Sequence, residues 1–141
     1  MTSIDFYFNA DDRLQVACRL AAKAASQGKR LLVHTPDPEL AGRFDKMLWT
    51  WQALAFVPHC AAHDVLAADT PVLLSGGEET PEGCDVILNL GAGCPPHFER
   101  FARLLEIVGA EDAEREAARE RYKFYQARGY KISSHDLRAA Q

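Results

Sequence analysis

Three short and almost wholly apolar runs constrain this chain more than any other feature: "LLVHT" from Leu31, "PVLLS" from Pro71 and "DVILNL" from Asp85. A strand with one face in water alternates apolar and polar residues. A run that is apolar throughout fits a strand covered on both faces, as in a parallel sheet sandwiched between helices. The intervening segments supply such helices. "DDRLQVACRLAAKAASQG" sets Leu14, Ala17, Cys18, Ala21, Ala22 and Ala25 at helical spacing, opens with acids and stops at Gly28. "PDPELAGRFDKMLWTW" begins with Asp37 before Pro38, an N-cap followed by proline at the first helical position. Its buried stripe reads Leu40, Phe44, Met47, Leu48 and Trp51. "IDFYF" (Ile4 to Phe8) has strand composition. "ALAFVPH" is apolar but carries Pro58, which favours an extended loop or an edge segment. A short helix is predicted around Phe98 to Ala102, "LLEIV" either continues it or forms a further strand, and Glu111 starts the last helix. The alternation predicts an α/β fold with a mainly parallel sheet. With no repeat, low-complexity tract or linker, residues 1–141 read as a single domain.

An apolar share of 48% and a charged share of 26% are those of an ordinary globular protein, and no apolar run approaches the length that spans a bilayer. "MTSIDFYFNADD" has neither the basic start nor the apolar middle of a signal peptide, so a cytoplasmic location is expected. There the four scattered cysteines, Cys18, Cys60, Cys84 and Cys94, are expected to be reduced and buried.

The signatures of catalysis and of nucleotide binding are weak. The first strand-to-helix turn, "FNADDR", has no glycine, and its two carboxylates would repel a phosphate. "NLGAGCPPHF" lacks a third glycine and puts Pro95 and Pro96 where a helix would open. Gly28-Lys29-Arg30 is a helix stop rather than a phosphate loop. His59, Cys60 and His63 in "HCAAH" lack a second ligand pair that would close a zinc site. No nucleophile elbow is present. No cofactor, metal or catalytic residue is expected.

The last helix is the exception to this plainness. The chain carries a net charge of -4, yet from Arg115 to Lys131 six basic residues face two acidic ones, with Tyr122, Phe124, Tyr125 and Tyr130 interleaved. Arg115, Arg119, Tyr122 and Gln126 share one helical face with Lys123 beside them, while Ala113, Ala117 and Phe124 lie roughly opposite and are expected to pack on the sheet. A solvated face held by intrahelical pairs is the plain reading. The unpaired basic charge and the rings point instead to an anionic partner. That partner is either single-stranded nucleic acid, held by phosphate contact and stacking, or a peptide with acidic groups and an apolar side chain. Overall acidity favours the peptide.

"ARERYKFY" (Ala118 to Tyr125) followed by "RGYKIS", together with "GKRLLVHT", "FDKMLW" and "AFVPH", resembles the chi subunit of the bacterial DNA polymerase III clamp-loader complex, over nearly the whole chain and in the same order. The resemblance implies a Rossmann-like, three-layer α/β fold with helices on both faces and no phosphate-binding loop. It implies a non-catalytic adaptor in DNA replication with two surfaces. One binds the acidic C-terminal tail of the single-stranded-DNA-binding protein, which ends in aspartates, proline and phenylalanine. Carried over by position, it uses Val108, Arg115, Arg119, Tyr122 and Lys123. The other binds the psi subunit through Trp49, Phe56 and Pro58. Direct binding of single-stranded nucleic acid is the alternative, and a small nucleotide-binding enzyme a more distant one.

Overall fold

The computed structural model describes residues 2–50, 58–62, 70–77 and 81–138. In chain order the elements are β1 (Ser3–Ala10), α1 (Arg13–Ser26), β2 (Leu31–His34), α2 (Pro38–Trp49), β3 (His59–Ala61), β4 (Val72–Ser75), β5 (Val86–Asn89), a 3-10 turn (Phe98–Arg100), β6 (Arg103–Gly109), α3 (Asp112–Ala127) and β7 (Lys131–Asp136). Among the described residues the sheet has seven strands in the order β3-β4-β2-β5-β6-β1-β7, and every pairing is parallel.

The apolar runs are the central strands, as their composition requires. Leu31, Val33, Val86 and Leu88 point to the face covered by α1 and α2, while Leu32 and Ile87 point to the face covered by α3. The result is a Rossmann-like α/β fold with helices on both faces of the sheet. The ambiguous "LLEIV" belongs to β6, between β5 and β1. Its one charged residue, Glu106, hid the strand pattern. The expected helix around Phe98 shrinks to a three-residue 3-10 turn, because the backbone is already extended at Phe101 and β6 begins at Arg103. Pro58 precedes β3, a three-residue strand at the sheet edge.

Local chemistry sets the helix ends. The Asp12 carboxylate accepts from the amides of Leu14 and Gln15 at 3.0 and 3.3 Å, and the Asp37 carboxylate accepts from the Glu39 amide at 3.0 Å. Gly28, with φ of +74°, takes the left-handed conformation that ends α1. In α2, Phe44 and Leu48 are buried, with Leu40 and Met47 packed at the margin; Trp51 lies outside the described residues. All four cysteines are free. Cys18 and Cys84 are buried, and burial pushes the Cys18 thiol up to about 12. The expectation of uniform burial fails at Cys60, which is half-buried, and at Cys94, which the loop before the two prolines leaves exposed.

Candidate functional site

Helix α3 is held to the sheet by a polar network rather than by an apolar stripe alone. Glu106 points from β6 toward α3 and is fully buried. Its Oε2 accepts from Arg121 Nε at 3.2 Å and from the Tyr125 hydroxyl at 2.7 Å, and its Oε1 accepts from Asn89 Nδ2 at 3.0 Å. Arg121 Nη1 also donates to the Ala92 carbonyl at 2.8 Å, and Asn89 accepts from the Gly91 amide at 2.9 Å. The 91–93 loop, β5, β6 and α3 are thereby tied into one unit. Burial pushes the Glu106 carboxyl above its ordinary value, against the pull of Arg121 and the other donors, and pushes the Tyr125 phenol up as well.

This network corrects the packing expected for α3. Its buried stripe is Ala118, Arg121 and Tyr125, while Ala113 and Phe124 are exposed. Arg121 is no surface charge; Glu106 supplies the acid that its helix neighbours do not. Nor do the interleaved rings form a stacking platform. Tyr125 is fully buried, Tyr130 packs against Phe98 with centroids 5.3 Å apart, and the Arg128 guanidinium lies over the Phe124 ring at 4.4 Å.

With that stripe turned inward, the adjoining face of α3 forms one wall of a cleft of about 400 Å³, within the usual range for small ligand sites of roughly 300–1,000 Å³. Ala118, Arg115, Arg119 and Tyr122 line it from α3; Phe6, Phe8 and Asn9 from β1, Val108 from β6 and Ser134 from β7 complete it. The floor is apolar, with Phe6, Val108 and Ala118 all nearly inaccessible and the Tyr122 ring 5.4 Å from that of Phe6. Arg119 is exposed at the rim, and among the described residues no carboxylate pairs with it. Arg115 Nη2 donates to Asn9 Oδ1 at 3.4 Å.

A second cavity of about 430 Å³ lies on the other flank of α3, outside the carboxyl ends of β5 and β6, with Pro36, Asp37 and Leu40 on its far side. Arg13 crosses it, donating from Nη1 to Glu114 Oε1 at 3.3 Å and from Nη2 to the Leu90 carbonyl at 3.2 Å. The Glu114 carboxylate lies over Gly109 in the space that a Cβ there would fill, so a larger residue would have to turn that side chain aside.

Residues 1–133 match the family model described as DNA polymerase III chi subunit, HolC. The chain belongs to this family. Three relatives named DNA polymerase III subunit chi agree with this. That of Pseudomonas aeruginosa is 40% identical, covering 97% of this chain and 98% of its own. That of Escherichia coli is 30% identical over 85% and 82%, and that of Haemophilus influenzae 29% identical over 87% and 86%. Among solved structures, the C-terminal domain of S. cerevisiae Dbp5 is similar with a TM-score of 0.59 at 6% identity, covering 96% of this chain and 90% of that one, a likeness of fold alone.

In this chi-family chain, four of the five residues carried over for one surface, Val108, Arg115, Arg119 and Tyr122, line a single cleft. Lys123 does not line it; it is exposed, with Nζ 3.9 Å from Glu120 Oε1. Sequence reasoning missed Phe6, Phe8, Asn9 and Ser134, because strands distant in sequence bring them there. Of the second set, Trp49 ends α2 with 52% of its surface exposed, its ring 4.6 Å from that of His59, whose Nε2 lies 3.1 Å from Asp45 Oδ1. Pro58 is exposed beside β3. Phe56 and His63 lie outside the described residues. No described helix is long and apolar enough to cross a membrane.

Proposed function

We propose that this chain is a non-catalytic accessory subunit of the cytoplasmic DNA polymerase III machinery, acting as an adaptor between the clamp loader and single-stranded-DNA-binding protein. The cleft beside α3 takes the acidic C-terminal tail of the latter. The observation that carries this reading is an apolar floor walled by Val108 and Tyr122 beneath a guanidinium, Arg119, that has no carboxylate partner among the described residues.

The terminal phenyl ring enters between Val108, Tyr122 and the aliphatic stem of Arg119, on the floor of Phe6. Its α-carboxylate meets the Arg119 guanidinium, whose planar fork offers paired donors that an ammonium does not. Arg115 at the cleft wall and Lys123 outside it attract the upstream aspartates and speed encounter. Burying the ring contributes about 1.5–3 kcal/mol and each charged hydrogen bond about 1.5–3 kcal/mol. After the cost of ordering a flexible tail, a micromolar dissociation constant, about -8 kcal/mol, is expected. Several tails on one DNA-coating partner raise the effective affinity by avidity.

The second surface, around exposed Trp49 and Pro58 with Phe56 in the adjoining chain, is the docking site for the psi subunit. A Trp left half in solvent at a helix end suits an interface anchor better than a core role.

The test is titration with the free tail peptide beside one lacking the last phenylalanine. Arg119→Ala is expected to weaken binding of the full peptide roughly tenfold or more, the scale of one charged contact, with the fold intact. Unchanged affinity, or equal binding of the truncated peptide, would overturn the assignment. A bare oligonucleotide bound with a steep salt dependence would favour direct nucleic-acid binding instead.

A further inference from the structure

Asn9 stands out in a strand otherwise built of extended residues. Its φ of +64° is left-handed, a conformation uncommon outside glycine and most accessible to asparagine and aspartate. It lies at a break in register: Tyr7 pairs with Ile107 but Ala10 with Gly109, so β1 carries one extra residue there. Bulges of this kind re-aim a side chain. The re-aimed amide lines the cleft between α3 and β7 and bonds to both walls. Its Nδ2 donates to Asp136 Oδ1 at 2.9 Å, and its Oδ1 accepts from Arg115 Nη2 at 3.4 Å. Because a carboxylate accepts, Asp136 fixes the amide nitrogen toward itself and turns the oxygen toward the guanidinium.

We infer that Asn9 is a positioning residue, holding the Arg115 guanidinium at the cleft wall so that its remaining N–H groups face an acidic peptide ligand. The inference rests on the tail-binding reading of the same cleft. An arginine side chain has several rotatable bonds, and a partner already in place removes part of the ordering cost of binding. The bulge supplies that partner from a strand, which is stiffer than a loop.

The experiment uses the full chain and the acidic Pro-Phe-ended peptide. Asn9→Gly keeps the left-handed backbone at no steric cost and deletes only the amide. It is expected to weaken binding roughly three- to tenfold. Arg115→Ala should do the same, and the double variant should bind no worse than Arg115→Ala alone, because the two side chains act as one device. Asn9→Asp, tolerant of the same backbone, sets a second carboxylate against Asp136 and Arg115 and should also weaken binding. Wild-type affinity for Asn9→Gly, or penalties that multiply in the double variant, would overturn the inference. A reading without peptide comes from NMR of the arginine side chains: guanidinium rotation at Arg115 should quicken in Asn9→Gly, and equal rates would count against it. Arg119→Ala separates the two levels. If it weakens binding while Asn9→Gly does not, only the positioning role fails; if it too has no effect, the cleft assignment fails with it.

Discussion

Replacing Arg121 by methionine isolates the contribution of the buried network from that of the exposed basic face. The two side chains have similar length, so the perturbation is chiefly loss of charge and donors. Glu106 is inaccessible and Arg121 only 6% exposed, which leaves no route for water to take over the lost interaction. Breaking a buried pair by removing one partner costs about 3–5 kcal/mol, most of it from the uncompensated charge left behind. For a chain of this size that lowers the melting temperature by about 10–20 °C. The penalty should depend on pH. Burial already raises the Glu106 carboxyl above its ordinary value, and deleting Arg121 removes the strongest opposing influence. A carboxyl raised in the folded state contributes stability at low pH and loses it as pH rises through the folded value. The Arg121→Met deficit should therefore be small near about pH 5 and large near about pH 8. Glu106→Gln combined with Arg121→Met, which removes both charges and leaves an amide for Tyr125 and Asn89, should recover much of the loss. Thermal melts followed by circular dichroism at the two pH values measure all of this. Exposed Arg119→Met is the control, expected to change stability by no more than about 0.5 kcal/mol. A deficit for Arg121→Met under about 1 kcal/mol, or one identical at both pH values, would refute the argument.

Two further outcomes test other parts of the molecule. Burial alone would raise the Asp5 carboxyl, but its hydrogen bonds to His135 and Arg103 outweigh that and hold it below its ordinary value. A carboxyl lowered in this way stabilises the fold above its unfolded value and ceases to as pH falls through the folded one, so melting temperature should drop below about pH 4. Arg103→Ala should flatten that acid limb, and an unchanged limb would discount the clamp. Trp49→Ala should cost less than about 1.5 kcal/mol in stability, the scale of a ring contact such as that with His59, yet abolish co-purification with the psi subunit. Retained co-purification would remove Trp49 from that interface.

Much of the fold was legible because its determinants are local. Four-residue apolar runs leave a strand little choice but the centre of a covered sheet, and Asp37-Pro38 marks a helix start by its own hydrogen-bonding chemistry. The misreadings fall where a residue's role depends on a partner far away in sequence. Glu106 in "LLEIV" breaks an apolar pattern only until Arg121, fifteen residues on, is folded against it. Arg121 in turn reads as one more surface cation until Glu106 is known. That single pair explains both the ambiguity of β6 and the misplaced packing face of α3. At the cleft, the face bearing Arg115, Arg119 and Tyr122 was readable from helical spacing, since three of its members lie on one element. Asn9 was not, because only the bulge in β1 aims its side chain, and no local signal distinguishes "FNADD" from an ordinary strand end. Nor did "KISSHD" announce β7; apart from Ile132 it is polar, because it lies at the sheet edge, where water more than packing sets composition.

The two cavities flanking α3 differ little in volume, about 400 and 430 Å³, so size does not choose between them as a ligand site. Charge does. Open parallel sheets generally receive phosphate-bearing ligands outside the carboxyl ends of their central strands, where helix N-termini offer unpaired amides. Here the amides at the starts of α1 and α2 already bond to the carboxylates of Asp12 and Asp37, and the Arg13–Glu114 pair crosses the cavity between. An incoming anion would have to displace acids that the chain itself supplies. On the other flank the balance is reversed: an apolar floor lies below Arg119, for which no described carboxylate serves as partner. An anion arriving there neutralises a charge instead of competing for one, and a ring attached to that anion finds a surface to cover. A peptide's terminal carboxylate carried on an aromatic residue satisfies both conditions at once, whereas a bare phosphate group meets only the first.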